Sequence, residues 1–270
     1  MFKNYSALPA DVFAQIQRTA GIFRSRLRGA LTGVYVHGSI ALSCFTESSS
    51  DIDLLIVCER RIPRDERLSI AEAVIAIDKK PRPLEISALF AGDIIPWQYP
   101  PPCQFHYSET WTERYKQLLS GEITGHFIID DDFEDSDIAC HIKLTKQCGI
   151  RVCGKPIDEV FPDIPEADFW DSISGDINED YDFNAYAPRY FASNIINIAR
   201  VLSYKAEKRV LSKYEVVEWA KRNLPERFLY IIEGAGRAWF FGEAMPECRG
   251  DDLAALKRVL IDKIQGGGGL

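Results

Sequence analysis

The sequence predicts an α+β chain of two domains: a first half with a sheet between helices, and an all-helical second half. Three observations predict it. Helix-like and strand-like segments alternate as α-β-β-α-β over residues 10–90. Strand-like segments then cease beyond Pro156, Pro162 and Pro165. Finally, a length of 270 residues suggests two domains at roughly 150 residues each. We expect the domains at 1–157 and 158–270, with a flexible glycine-rich tail at 265–270.

Each element has a local reason. Val12, Ile16, Ala20, Phe23 and Leu27 recur at helical spacing with arginines between them, so 10–28 is amphipathic helix. Thr32 to Val36 is β-prone and ends near Gly38. Ile52 to Val57 is a continuous apolar run, as in a buried strand. Glu66 to Ala76 reads as helix, Pro81 and Pro83 punctuate, and Leu84 to Phe90 alternates as a strand. Helices are expected over 109–119 and 137–148, with a short strand at Ile150 to Cys153. Beyond the prolines, Phe191 to Tyr204 carries a broad apolar stripe. Lys213 to Arg222 follows Ser212, a good N-cap. Segments from Pro225 to Phe241 and from Leu253 to Ile264 complete an antiparallel bundle of four or five helices.

Composition removes several function classes. Lys and Arg total 32 against 40 Asp and Glu, a net charge of −8. That is a poor footprint for nucleic acid, which selects basic surfaces. The apolar run Leu54 to Cys58 is far shorter than the ~20 residues of a membrane helix. The start has no secretory pattern, so a cytoplasmic monomer is expected. The seven cysteines include no CxxC, which argues against a zinc ribbon and for reduced, mostly buried thiols. The four histidines show no metal-ligand spacing. His141 follows Asp137 by one helical turn and could meet it there; a structural hydrogen bond is expected, with a nucleotide contact as the alternative.

The chemistry concentrates at Val36-His37-Gly38-Ser39-Ile40-Ala41 and Asp51-Ile52-Asp53-Leu54. Gly38 permits close backbone approach, and Ser39 with the amides of a helix start suits an anion. Asp51 and Asp53 are two apart at a strand start, so both carboxylates face one way. Such a pair is half of a magnesium site, whose remaining ligands are phosphate oxygens and water. Glu85 is a charge within the apolar strand Leu84 to Ala88. It suits either completion of the metal site or acceptance of a proton from a hydroxyl. This combination is what phosphoryl or nucleotidyl transfer requires.

These residues resemble the nucleotidyltransferase superfamily with the polymerase-β-like palm, marked by Gly-Ser followed by Asp-x-Asp. Further segments are similar to aminoglycoside nucleotidyltransferases of the streptomycin/spectinomycin adenylyltransferase type: Gly92 to Pro100, Leu144-Thr145-Lys146, Gly154-Lys155-Pro156, Ala199-Arg200-Val201, Ser212-Lys213 and Glu218-Trp219-Ala220. The resemblance spans roughly residues 30–230. It implies a palm-like mixed sheet and AMP transfer from ATP to an antibiotic hydroxyl with Mg²⁺. By the same resemblance, Asp51 and Asp53 hold the metal, and Gly38, Ser39 and Ser50 serve the triphosphate. Glu85 is the general base, Trp111 belongs to the drug site, and Arg200 and Lys213 reach the phosphates. Asp137 matches a nucleotide-binding position across a small gap. One segment departs from the family. Where acidic drug-site residues are expected, this chain has Tyr186, Pro188, Arg189 and Tyr190, with Asp180 and Asp182 out of register.

Other readings stay open at this stage. The acceptor is alternatively a protein, a tRNA end or another hydroxylated metabolite, or the chain is a degenerate nucleotide-binding regulator. The run Asp130 to Asp137, six acids in eight residues, reads as a solvated loop or as lining for a cationic drug. The acids between Asp176 and Asp182 allow the same two readings.

Overall fold

The computed structural model describes residue 5 and residues 8–184 and 190–266. The chain divides into two compact units, one of residues 1–45 and 50–172, the other of 46–49 and 173–270.

The first unit is built on a five-stranded sheet of order β5-β3-β2-β1-β7. Its strands are β1 (Leu31–Val36), β2 (Ile52–Cys58), β3 (Leu84–Phe90), β5 (Phe105–Tyr107) and β7 (Ile150–Gly154). β2 and β3 are parallel, and the other pairs are antiparallel, so the sheet is mixed as expected. The parallel pair is joined through α3 (Arg64–Ile77), the crossover that parallel strands require. A second ladder pairs the two-residue strands β4 (Pro102–Cys103) and β6 (Phe133–Glu134).

The two sheet faces have different cores. Val34, Val36, Ile52, Leu54, Ile56 and Ile86 face α1 (Ala10–Leu27) and α3, where Ile16, Phe23 and Ile70 are fully buried. Tyr35, Leu55 and Val57 face the other way, against Ile138 and Ile142 of α7 (Asp137–Cys148). Asp53 alternates with Ile52 and Leu54, so it lies on the α7 side.

A buried glutamine ties α1 to the turn before β3. The Gln15 amide donates to Ile77 O (2.9 Å) and Arg82 O (2.7 Å), and its oxygen accepts from Arg82 N (2.9 Å). Asp78 Oδ1 accepts from Leu84 N at 2.9 Å and starts β3. These bonds hold the strand that carries Glu85.

Sequence and structure differ at several points. The 109–119 helix is a 3₁₀ turn at Glu109–Trp111 followed by α5 (Thr112–Ser120). The unpredicted helix α9 (Glu166–Ser174) begins within the first unit, which extends past the expected division at 157/158. The cause is side-chain bonding: Trp97 Nε1 donates to Asp168 (2.7 Å) and Tyr99 OH to Asp171 (2.8 Å). All seven cysteines are free, but only Cys44, Cys58 and Cys103 are buried. No described helix is long and apolar enough to cross a membrane.

The second unit is helical: α10 (Tyr190–Glu207), α11 (Lys213–Asn223), α12 (Leu229–Phe241) and α13 (Asp252–Gln265). α10 is central and packs on the other three. Ser212 and Glu215 form a reciprocal capping box at the start of α11. The tail residues 267–270 lie outside the described residues.

Two stability predictions follow from these bonds. Gln15→Leu removes all three of these bonds, although Lys79 N still donates to Arg82 O, and unfolding free energy should fall by about 2–3 kcal/mol in urea titration. Ser212→Ala should cost about 1 kcal/mol through loss of the α11 cap, read as a lower thermal midpoint.

Candidate active site

A row of functional side chains crosses three neighbouring strands. The β2–β3 register pairs Asp53 with Glu85. The β1–β2 register ends at Val36 and Leu54, and the next residue, His37, donates its amide to Asp53 O at 3.1 Å. His37, Asp53 and Glu85 therefore stand level on adjacent strands. Asp51, two residues before Asp53, points to the same face. Both Asp53 and Glu85 are partly exposed within otherwise buried strands.

Gly38 makes the close approach possible. Its φ is +60°, and a Cβ there would overlap Asp53 Oδ2. Only glycine satisfies both the left-handed backbone and the contact. Ser39 follows in the short helix α2 (Gly38–Ala41), and its buried Oγ has no hydrogen-bond partner. Ser50 is buried, and its carbonyl accepts from Arg82 Nε at 2.7 Å.

The electrostatics are those of crowded like charges. Glu85 is pushed up to about 8, first by burial and then by Asp53, Asp51, Asp137 and Asp135. His37 is held well below its usual range by burial and by His141. The two rings lie against each other, tilted by 35°, with centroids 4.7 Å apart. This corrects the expected contact between His141 and Asp137. His141 turns its ring to His37 instead, and its Nδ1 is buried without a partner.

Among the described residues, no three His, Cys, Asp or Glu side chains are grouped to hold a metal by themselves. Asp51 and Asp53 offer an all-oxygen pair, the donor chemistry of a hard cation that takes its other ligands from phosphate and water. The turn at Gly38 and the unpartnered Ser39 Oγ beside that pair fit a phosphate-bearing ligand.

The acidic run separates into two parts. Asp130 binds Arg64 at 2.7 Å, and this bond holds its carboxyl below the usual range. Asp132 pairs with Arg61 and with the buried Arg67, and Arg61 also binds Asp93. Asp130 and Asp132 are thus paired with arginines of the same unit, Asp130 at an exposed position. Asp135 and Asp137 act on Glu85 instead, and Asp135 Oδ1 accepts from Asp137 N at 3.0 Å. Asp180 and Asp182 lie exposed in turns.

Trp111 ends the 3₁₀ turn after β5, half-buried against His126 (5.6 Å) and Phe127 (5.5 Å). The sequence did not single out Phe127, although its ring is 48% exposed and continues this aromatic cluster. Arg200 and Lys213 both lie in the second unit. Arg200 Nε donates to Leu211 O (2.9 Å), just before α11, and Lys213 Nζ donates to Ser193 on α10 (2.6 Å). Lys213 Nζ also sits 3.6 Å from the Trp239 ring centroid. Tyr186, Pro188 and Arg189 lie outside the described residues, and Tyr190 opens α10.

Comparison with known proteins agrees with this arrangement. Residues 16–114 match the model of a nucleotidyltransferase domain, and 159–261 match the aminoglycoside adenylyltransferase C-terminal domain. An aminoglycoside (3'') (9) adenylyltransferase of Shigella flexneri is 23% identical over 92% of both chains. A spectinomycin 9-adenylyltransferase of Staphylococcus aureus is 25% identical over 93% of this chain and 94% of its own. A crystal structure of a spectinomycin adenyltransferase from Enterococcus faecalis, with ATP and spectinomycin, shares the fold at a TM-score of 0.78 and 21% identity. It covers 94% of this chain and 99% of its own. With its two domains matched in order, the chain is a nucleotidyltransferase and belongs to the aminoglycoside adenylyltransferase family.

Proposed function

We propose that this enzyme transfers AMP from ATP to a hydroxyl of a streptomycin- or spectinomycin-like antibiotic, with Mg²⁺, and releases pyrophosphate. The observation that carries the reading is the in-register pair of Asp53 and Glu85 beside the Gly38-Ser39 turn. The named activities of the similar proteins support the choice of nucleotide donor and acceptor.

The residues divide the work. Asp51 and Asp53 would hold a magnesium ion. When bound, that ion offsets negative charge on the phosphate oxygens. Glu85 accepts the proton of the acceptor hydroxyl as its oxygen attacks the α-phosphorus in line. The bond from that phosphorus to the pyrophosphate oxygen breaks. Burial raises the proton affinity of Glu85, which suits a general base. Ser39 and Ser50 contact the triphosphate, Asp137 contacts the nucleotide, and Arg200 and Lys213 supply positive charge to the phosphates. Trp111 offers a flat apolar face to the antibiotic. The need for ATP places the reaction in the cytoplasm.

The decisive assay is transfer of labelled AMP to a panel of aminoglycosides, paired with resistance of a sensitive host. Asp53→Asn and Glu85→Gln should each reduce kcat/KM by at least about a hundredfold. Equal activity in all three proteins would refute the site. Mg·ATP binding without transfer to any antibiotic would move the acceptor to another hydroxylated metabolite. Separately, Gly38→Ala should weaken Mg·ATP by about tenfold or more in calorimetry, because αL strain and overlap with Asp53 distort the turn. Its far-UV circular dichroism should match the wild type.

A further inference from the structure

Buried polar atoms in folded proteins nearly always have a partner. Among the described residues, three buried side-chain atoms have none: Thr32 Oγ1, Ser39 Oγ and His141 Nδ1. Two of these converge. Ser39 lies in α2, α2 packs on α7, and α7 carries His141. The His141 ring lies against His37, two residues before Ser39, with centroids 4.7 Å apart and a 35° tilt. His37 is itself bonded through its amide to Asp53 O. An unpartnered hydroxyl and an unpartnered imidazole nitrogen thus flank the aspartate pair from the side opposite Glu85.

The chemistry of these atoms selects a ligand. A serine hydroxyl and a histidine ring nitrogen can both donate. Two donors beside a cation held by carboxylates call for an oxygen-rich anion bound to that cation. A sugar ammonium would bring only donors to them. The His141 ring lies against His37 at a 35° tilt, and its unpartnered Nδ1 is the group left for a ligand.

We propose that His141 is a nucleotide-binding residue whose Nδ1–H, together with Ser39 Oγ–H, donates to a phosphate oxygen of the bound triphosphate. This rests on the nucleotidyl-transfer reading and adds to it a contact from α7, on the far side of Asp53 from the general base.

The test is calorimetry of wild type, His141→Phe and His141→Gln with two probes, Mg·ATP and Mg·tripolyphosphate. Phenylalanine keeps an aromatic ring against His37 and removes the donor. His141→Phe should bind both probes about tenfold more weakly, the loss of one charge-assisted hydrogen bond. His141→Gln, which keeps an N–H, should recover part of that affinity. Ser39→Ala should weaken the same two probes. Unchanged affinity in both His141 variants, with a wild type that binds, would overturn this assignment and leave the nucleotidyl-transfer reading intact. Weakening with Mg·ATP but not with Mg·tripolyphosphate would place the contact on the nucleoside and overturn the phosphate assignment. A wild type that binds neither probe would overturn the nucleotidyl-transfer reading and this contact with it.

Discussion

Like charges held together on one buried sheet face are the constraint on which the first unit depends. Parallel pairing of β2 with β3 places Asp53 beside Glu85, and Asp51 shares their face. In water such carboxylates would separate. Here the strands that carry them are locked from beneath by Ile52, Leu54, Ile56 and Ile86, all fully buried. Repulsion therefore cannot relax by movement, and it appears as a Glu85 carboxyl pushed up to about 8. A cation or a proton relieves it. The apolar face supplies the stability that the polar face gives up, a division common at functional sites.

The same logic explains the two fates of the acidic run. Asp130 and Asp132 are held by Arg61, Arg64 and Arg67, so their charge is spent inside the fold. Asp135 and Asp137, a few residues on, add to the field at Glu85. The net charge of −8 is thus a poor guide to function.

The second unit uses cations where the first uses anions. The capping box at Ser212 starts α11 and fixes Lys213 at its first turn. Arg200 reaches from α10 to the carbonyl of Leu211, just before Lys213. Both side chains are partly buried and bonded rather than trailing in solvent.

Much of this protein was legible in one dimension, and the reason is local. Strands β1, β2 and β3 are short apolar runs, helices α1 and α10 carry apolar stripes, and Gly-Ser with Asp-x-Asp needs only nearby residues to state its chemistry. The alternation of side chains along a strand put Asp51 and Asp53 on one face, and a charge inside an apolar strand exposed Glu85. Other features were not legible because their causes are distant in sequence. Strands β4, β5 and β6 are two or three residues long, and only their partners make them strands. Helix α9 joins the first unit through Trp97 and Tyr99, not through any signal of its own. His141 had a plausible partner one turn away at Asp137, yet packing of α7 on the sheet turned it to His37. Local pattern determined the elements and the identity of the acids. Only tertiary packing decided which charges would be neutralised, which would be crowded together, and which polar atoms would be left for a ligand.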